Sequence, residues 1–460
     1  MEKRKKIIVF CRCLATVILF VCVFSCISDA LAVKESRDRY QEFYEQKENI
    51  DVLILGTSHV FNGISPMDMW EQNGIIAYDL AAPGCRIPSA YWILKNALQY
   101  TEPKLVVLDC AYLFDVKAHE KTGYMHVIFD AMPLSKTKLE ALTDLYDRKE
   151  EIVEHLVPFL VYHSRWNELE IKDFFYKPDY GKMGFGTGCD VVDAVLPDFT
   201  VNEVKEVHNV STEYLYKIIE LCEQQGMDLL FTFLPFDTNE ESKNDAAYVR
   251  MIAEQKGIAF LGPDELQQCI NLRTDFVNNN SNNSHLNLSG AHKLSYYLGN
   301  YIAQNYEVAD QRENPRYDDW HRYYALYEDH KLSLMKAQGQ LENYLVGMAD
   351  RNYTGVVYVH DTACIQNERV LNLLRNLNMD MDRGMETGLF IQPEKAIWAG
   401  NVEIRSDKDG KPALFLNHEM LYSWDASATD AGIYVVVMDN SGENVLDAAT
   451  FSASARIKIS

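Results

Sequence analysis

Five short apolar runs constrain this chain more than any other feature. Asp51-Val-Leu-Ile-Leu55 ends at Gly56, and Ile75–Leu80 is closed by Ala82-Pro83-Gly84. Lys104–Leu108, Met227–Leu234 (stopped by Pro235) and Ile258–Leu261 follow. A brief unbroken apolar run bounded by turn residues is how a strand buried on both faces reads. Ser89–Tyr100, Glu213–Gln225, Asp245–Gln255 and Leu288–Asn305 carry helical spacing between or after these runs. Strands alternating with helices form a parallel sheet covered on both faces, so the expected fold class is α/β.

That rhythm breaks over about residues 113–210, which are aromatic-rich and weakly periodic; they read as an insertion that walls a cleft. Beyond Pro315, positions 320, 324, 327, 331, 334, 338, 341, 345 and 348 follow a 4,3 spacing, and seven of the nine are apolar. The spacing predicts one long amphipathic helix, packed on its own domain or paired between chains as a coiled coil. From Asn352 the pattern turns strand-like: Gly355–His360 is one run, and Ile433–Met438 and Asn444–Thr450 flank the hairpin signal Asn440-Ser441-Gly442. The expected organisation is an α/β domain over 45–305, a helical linker over 306–349 and a smaller β-rich α+β domain over 350–460.

The N-terminus sets the compartment. Lys3–Lys6 precede Ile7–Ile27, an apolar stretch near membrane length interrupted by Arg12. This reads as a signal anchor or a signal peptide over 1–32. Ala30-Leu31-Ala32 has the small-residue spacing of a cleavage site, whereas the length of the run argues for a retained single span. The positive-inside rule puts the basic end in the cytoplasm and the bulk of the chain outside. Residues 1–32 sum to +3 and the remainder to −26. A surface this acidic disfavours sequence-independent nucleic-acid binding, which needs cations to displace counterions. Four of ten cysteines (Cys11, Cys13, Cys22, Cys26) lie in the apolar stretch. The other six are scattered singly, which indicates neither a disulfide framework nor a zinc site. No paired His/carboxylate spacing suggests a metal, and neither a dinucleotide fingerprint nor a phosphate-binding loop suggests a nucleotide, so no cofactor is expected.

Two residues carry the chemistry. Ser58, in Gly56-Thr57-Ser58-His59, follows the first strand at the sheet edge where open parallel sheets bind ligands. By itself such a serine caps a helix. His285, in Ser284-His285-Leu286-Asn287, precedes the last helix of the same unit, and by itself a loop histidine is a polar surface group. Together they supply what a serine nucleophile needs, an imidazole to take its proton. His59 reads as a local hydrogen-bonding group, Trp70, Trp92 and Tyr91 as core, and His292 as packed within the last helix.

The pairing of Gly-Thr-Ser-His after strand one with a late Ser-His-Leu-Asn-x-x-Gly-Ala resembles the SGNH (GDSL-like) hydrolase superfamily, over about residues 50–305. It looks closest to the membrane-anchored branch related to DltD and the alginate acetylation proteins. The resemblance implies a three-layer, flavodoxin-like sheet, with Ser58 as nucleophile, His285 as general base, and the backbone N–H groups of Ser58 and Gly84 in an oxyanion hole. The family places Asp three residues before the histidine; here Asn282 stands there, with Asp275 as a substitute that no spacing supports. The family's Gly-x-Asn-Asp block is replaced by Asp109-Cys110-Ala111-Tyr112. Gly432–Asp439 with Val445-Leu446-Asp447 and Phe451 is similar to the end of the interleukin-like EMT inducer domain, which implies a carbohydrate-binding module.

Two functions follow as expectations. One is an extracytoplasmic O-acyl (acetyl) transferase or esterase acting on a cell-surface glycan or acylated polysaccharide, with a membrane-bound O-acyltransferase as the partner the family implies. The other is an inactive protein of the same fold that binds or assembles glycan.

Overall fold

The computed structural model describes residues 2–46, 48–117, 122–176, 178, 180–236, 240–279, 282–361, 365–379, 388–391, 402–424, 432–442, 444–452 and 455–456. The side chains of 278, 279 and 282–284, Asn282 among them, lie outside the described residues, as does Cys364.

Helix α1 (Glu2–Leu31) contains a 26-residue stretch, Lys6–Leu31, that is long and apolar enough to cross a membrane, as an anchor or a signal sequence. At about 1.5 Å per residue it is roughly 39 Å long, more than the ~30 Å of a bilayer core. Helix α2 (Lys34–Glu45) then buries Tyr40 and Phe43 in the main core.

The α/β unit runs β1 (Val52–Leu55), α3 (Ser58–Gly63), α4 (Pro66–Asn73), β2 (Ala77–Asp79), α5 (Ile87–Ala97) and β3 (Leu105–Asp109). Five helices interrupt it: α6 (Thr122–Phe129), α7 (Lys136–Leu145), α8 (Lys149–Leu156), α9 (Phe159–Tyr162) and α10 (Ile171–Phe174). It resumes with α11 (Val210–Gln225), β4 (Asp228–Thr232), α12 (Glu240–Lys256), β5 (Ala259–Leu261), α13 (Pro263–Leu266), the hairpin β6 (Phe276–Asn279) and β7 (Asn282–Leu286), and α14 (Leu288–Asn305). The five-stranded sheet has order β2-β1-β3-β4-β5 with every pairing parallel. This is a doubly wound order whose direction reverses between β1 and β3, where such sheets bind ligands.

Both faces of the sheet are covered because its strands are apolar on both. Leu53 and Leu55 face the core built with α5 and α11, through Ile93, Leu215 and Ile219. Val52 and Ile54 face the opposite core, with Met69 of α4 and Leu294, Leu298 and Ile302 of α14. Cys85, Cys110, Cys189 and Cys222 are buried thiols.

The 4,3 stripe corresponds to two helices rather than one, α15 (Asp318–Lys336) and α16 (Leu341–Met348). The break at 337–340 contains Gly339, which costs a helix about 1 kcal/mol relative to Ala, and Gln340 restarts the chain from extended backbone. The stripe is buried within the chain at Trp320, Tyr327, Leu341, Leu345 and Met348. Its one buried cation, Lys331, is ion-paired to Asp350 and Glu328.

The C-terminal region holds β8 (Tyr353–Val359), α17 (Glu368–Asn376), β9 (Gly388–Ile391), β10 (Val402–Ser406), β11 (Pro412–Leu416), β12 (Glu419–Ser423), β13 (Ile433–Asp439), β14 (Val445–Ser452) and β15 (Ala455–Arg456). They form an antiparallel sheet ordered β15-β14-β13-β8-β9 and a small sheet β10-β11-β12. Strand alternation sends Val357, Val435 and Val437 to one core and Val356, Val436 and Met438 to another, with Leu414 and Trp424. The β13–β14 turn is closed by Asp439, which accepts from Ser441 Oγ and Asn444 Nδ2, both at 2.6 Å, with Gly442 at φ +69°.

Candidate active site

Ser58 stands at the first turn of α3, directly past the buried strand β1, and is half-buried. Thr57 caps that turn, its hydroxyl accepting from the His59 N–H at 3.3 Å. Asn62 donates back to the Ser58 carbonyl at 2.7 Å. Gly56 is needed before it, since a Cβ there would lie 2.5 Å from Val60 Cγ2 and 2.9 Å from Asp109 Cβ.

His285 lies on β7, opposite Val277 of β6, just before the Asn287 cap of α14. Helix α3 packs against β7 and α14, and the His59 and His285 rings are 5.3 Å apart. Nucleophile candidate and base candidate therefore sit on neighbouring elements despite more than 200 intervening residues. The tail of the insertion holds those elements together. Gly186 N–H donates to the Phe61 carbonyl of α3 at 3.0 Å, Thr187 Oγ1 donates to the Leu286 carbonyl of β7 at 2.7 Å, and the Gly188 carbonyl accepts from Leu288 at 2.9 Å.

Gly84 is buried in the turn after β2, at φ +68°, a left-handed conformation that glycine adopts without penalty. Cys85 N–H closes this turn on the Ala82 carbonyl at 3.1 Å. Asn282 belongs to β7 by its backbone, but its side chain is outside the described residues. Asp275 is committed elsewhere. Its carboxylate accepts from Lys293 Nζ at 2.8 and 3.0 Å, Ser289 Oγ at 3.0 Å, Thr274 Oγ1 at 2.9 Å and the Asn271 N–H at 2.7 Å. Asp109 likewise clamps the strand ends, accepting from Leu234 N–H at 2.9 Å and Thr232 Oγ1 at 3.3 Å, and burial pushes it up to about 7.

The other strand ends supply a wall that the sequence reading did not assign. His59 is buried and stacks on Phe236 at 4.1 Å and Tyr112 at 5.5 Å. The Arg86 guanidinium lies 4.1 Å over the Tyr112 ring and pairs with Asp115 at 3.1 Å. Tyr112 has φ +63°, a conformation that costs a non-glycine residue about 1–2 kcal/mol and that clusters at functional sites. Ser58 follows β1, Arg86 follows β2, Tyr112 follows β3 and Phe236 follows β4, so the rule that placed Ser58 also reaches these three. Burial, then His285 and Arg86, hold His59 well below the usual histidine range. Burial lowers His285 to about 4. Both imidazoles are neutral at pH 7, and a neutral imidazole is the form that accepts a proton.

His292 lies apart from this edge, as expected from its place in the last helix. It is buried against Asp68 (2.7 Å) and Asp350 (3.5 Å), in the ionic cluster that contains Lys331. Trp70 and Trp92 are core, and Tyr91 is half-buried.

One group with metal-ligand chemistry was not foreseen. His126, Asp130 and His155 have ligand atoms within 4.8 Å of one another. The two imidazoles stack at 3.9 Å with planes 28° apart, and each turns Nδ1 toward the Asp130 carboxylate, at 2.9 and 3.4 Å. Tyr162 OH adds a third donor at 3.1 Å. Both Nδ1 atoms converge on the same carboxylate oxygen, Asp130 Oδ1. Three hydrogen bonds also satisfy this carboxylate without a metal. A cavity of about 500 Å³ borders the cluster, between Arg37 and the last turns of α1, and does not include Ser58.

No family model matches the chain, and no curated protein matches it. Among solved structures, the chain is similar to one described as "a putative acylhydrolase" from Bacteroides fragilis NCTC 9343. Identity is 11% and the TM-score 0.30, with 58% of this chain and 95% of that chain covered. At that identity and score the likeness assigns no chemistry here.

Proposed function

We propose that the protein is an SGNH-type serine acyl-transfer enzyme of the cell envelope, anchored by α1 with the bulk of the chain outside the cytoplasm. Ser58 Oγ attacks an acyl carbonyl while the His285 imidazole takes its proton. The backbone N–H groups of Ser58 and Gly84 receive the oxyanion. The tetrahedral intermediate collapses, the leaving alkoxide takes the proton from His285, and an acyl-serine remains. A sugar hydroxyl or water then attacks the acyl carbon while His285 takes its proton, the acyl–serine bond breaks, and His285 returns the proton to Ser58 Oγ, which gives transfer or hydrolysis. In this reading Asn282 orients His285, the acyl group is acetyl, and the acceptor is a surface or exported glycan. Residues 350–460 bind that glycan, and a membrane-bound O-acyltransferase supplies the acyl group.

The observation that carries the reading is the contact between the first turn of α3 and β7 at the C-terminal edge of a 2-1-3-4-5 parallel sheet. Wild type, Ser58→Ala and His285→Ala incubated with an activated acetyl ester and acid-quenched test it by peptide mass mapping. Acetyl on Ser58 in wild type, absent from both variants, supports the reading. An acetyl distribution identical in all three refutes it.

The low basicity of His285 favours a second reading, a glycan-binding protein that keeps the fold without turnover. An ion-paired carboxylate would raise that histidine, and burial has lowered it. Glycan binding by an unreactive wild type would decide for this alternative.

A further inference from the structure

Short helices of the insertion adjoin the exit end of α1. Helix α9, the 3₁₀ turn His163–Asn167 and α10 all pack on α1, with Phe24 and Phe159 rings 5.1 Å apart. Arg165 Nη1 donates to the Leu31 carbonyl at 2.6 Å, and Lys34 Nζ bridges the Ala30 carbonyl (3.3 Å) and the Asp173 carbonyl (2.5 Å). Ala30, Leu31 and Ala32 are thereby buried, the first two of them within the helix. A peptidase needs this stretch extended and open, so the small-residue site is closed to cleavage in the folded chain.

On its outer side the same segment exposes large apolar side chains. Trp166 is 72% exposed, Ile171 and Phe175 80%, and Phe174 61%. A soluble surface rarely gathers such residues in one place. Tryptophan beside phenylalanine and isoleucine is the composition of segments that lie at a membrane interface.

We propose that Phe159–Phe175 lies in the headgroup layer of the bilayer that α1 crosses, as a second membrane contact continuous with the first. The inference rests on α1 as a retained span. The occupant is lipid because the segment packs on α1, whose own large apolar side chains from Ile7 to Ile27 are exposed. Its charged residues are Arg165, Lys172, Glu168, Glu170 and Asp173, a net of −1, so neutral lipid suffices.

The test uses the full chain in phosphatidylcholine vesicles, with and without bromine on the upper acyl carbons. Of the six tryptophans, Trp70, Trp92, Trp320 and Trp424 are buried in the fold and Trp398 is outside the described residues. The expected result is that the chain floats with the vesicles and that bromolipid quenches a part of its emission that Trp166→Phe abolishes. Flotation with Trp166 untouched by bromolipid and open to aqueous iodide overturns the proposal, and leaves the face to a protein partner. Failure to float overturns the anchor instead.

Discussion

Gly56→Ala tests how the end of β1 positions Ser58. The added Cβ would lie 2.5 Å from Val60 Cγ2 and 2.9 Å from Asp109 Cβ. Carbon atoms rest comfortably at ~3.5–4.0 Å, so about 1 Å must be found. Asp109 yields little, because Leu234 N–H and Thr232 Oγ1 hold it. Val60 is buried and β-branched, with one favoured helical rotamer, so relief moves α3 as a body. Overpacking costs roughly 1–3 kcal/mol, and the lower chain entropy of Ala returns about 0.4–1. Midway in those ranges the net is about 1.3 kcal/mol. At ~2–4 °C per kcal/mol for a domain of this size, Tm falls by about 3–5 °C. A shift of about 1 Å at a reacting group costs roughly 100-fold in rate. The assays are thermal unfolding and the rate of fluorophosphonate labelling at Ser58. Adding Val60→Ala removes the closer clash and recovers part of both. Unchanged Tm and labelling in Gly56→Ala would mean that the end of β1 does not hold α3 and Ser58 in place.

His285, lowered to about 4, stays neutral from pH 8 to about pH 5. Labelling of Ser58 is therefore level over that range and falls as pH drops through 4; a drop centred near the ordinary histidine value, ~6.5, would contradict this. Its folded value lies below its unfolded value, so the unfolded chain takes the proton first. Stability is fully present above ~6.5 and is lost as pH falls toward 4, a slope that His285→Gln reduces in urea titrations. Lys331→Met leaves the buried Asp350 and the half-buried Glu328 without their cation and lowers stability by about 3–5 kcal/mol in urea. Adding Asp350→Asn returns part of the loss, and equal midpoints for both variants would argue against the pairing. Tyr112→Gly is more stable than Tyr112→Ala by about 1–2 kcal/mol in urea titrations, because only Gly occupies φ +63° without strain; equal stability would count against strain there.

The parallel sheet was legible because strands buried on both faces are unbroken apolar runs, as in Val52–Leu55. The β13–β14 hairpin was legible through Asn440-Ser441-Gly442, whose neighbour Asp439 closes the turn. The candidate site was legible only where one motif marks one residue. Ser58 and His285 stand in short signatures, but Arg86, Tyr112 and Phe236 meet through three different strand ends, and no local pattern joins them. The link from Gly186–Gly188 to α3 and β7 consists of single backbone and hydroxyl bonds, which leave no periodic trace. The two-helix break was hidden because the apolar stripe keeps its phase across Gly339. The His126–Asp130–His155 group was hidden because one histidine is 25 residues from the carboxylate.

The proposed chemistry depends first on activation of Ser58 by His285. The most direct measurement is fluorophosphonate labelling of the full chain in detergent, read by intact mass and peptide mapping, beside Ser58→Ala and His285→Ala. The expected result is a single adduct on Ser58 that both substitutions abolish. Folded wild-type protein that takes up no label, or label that persists in His285→Ala, would contradict it.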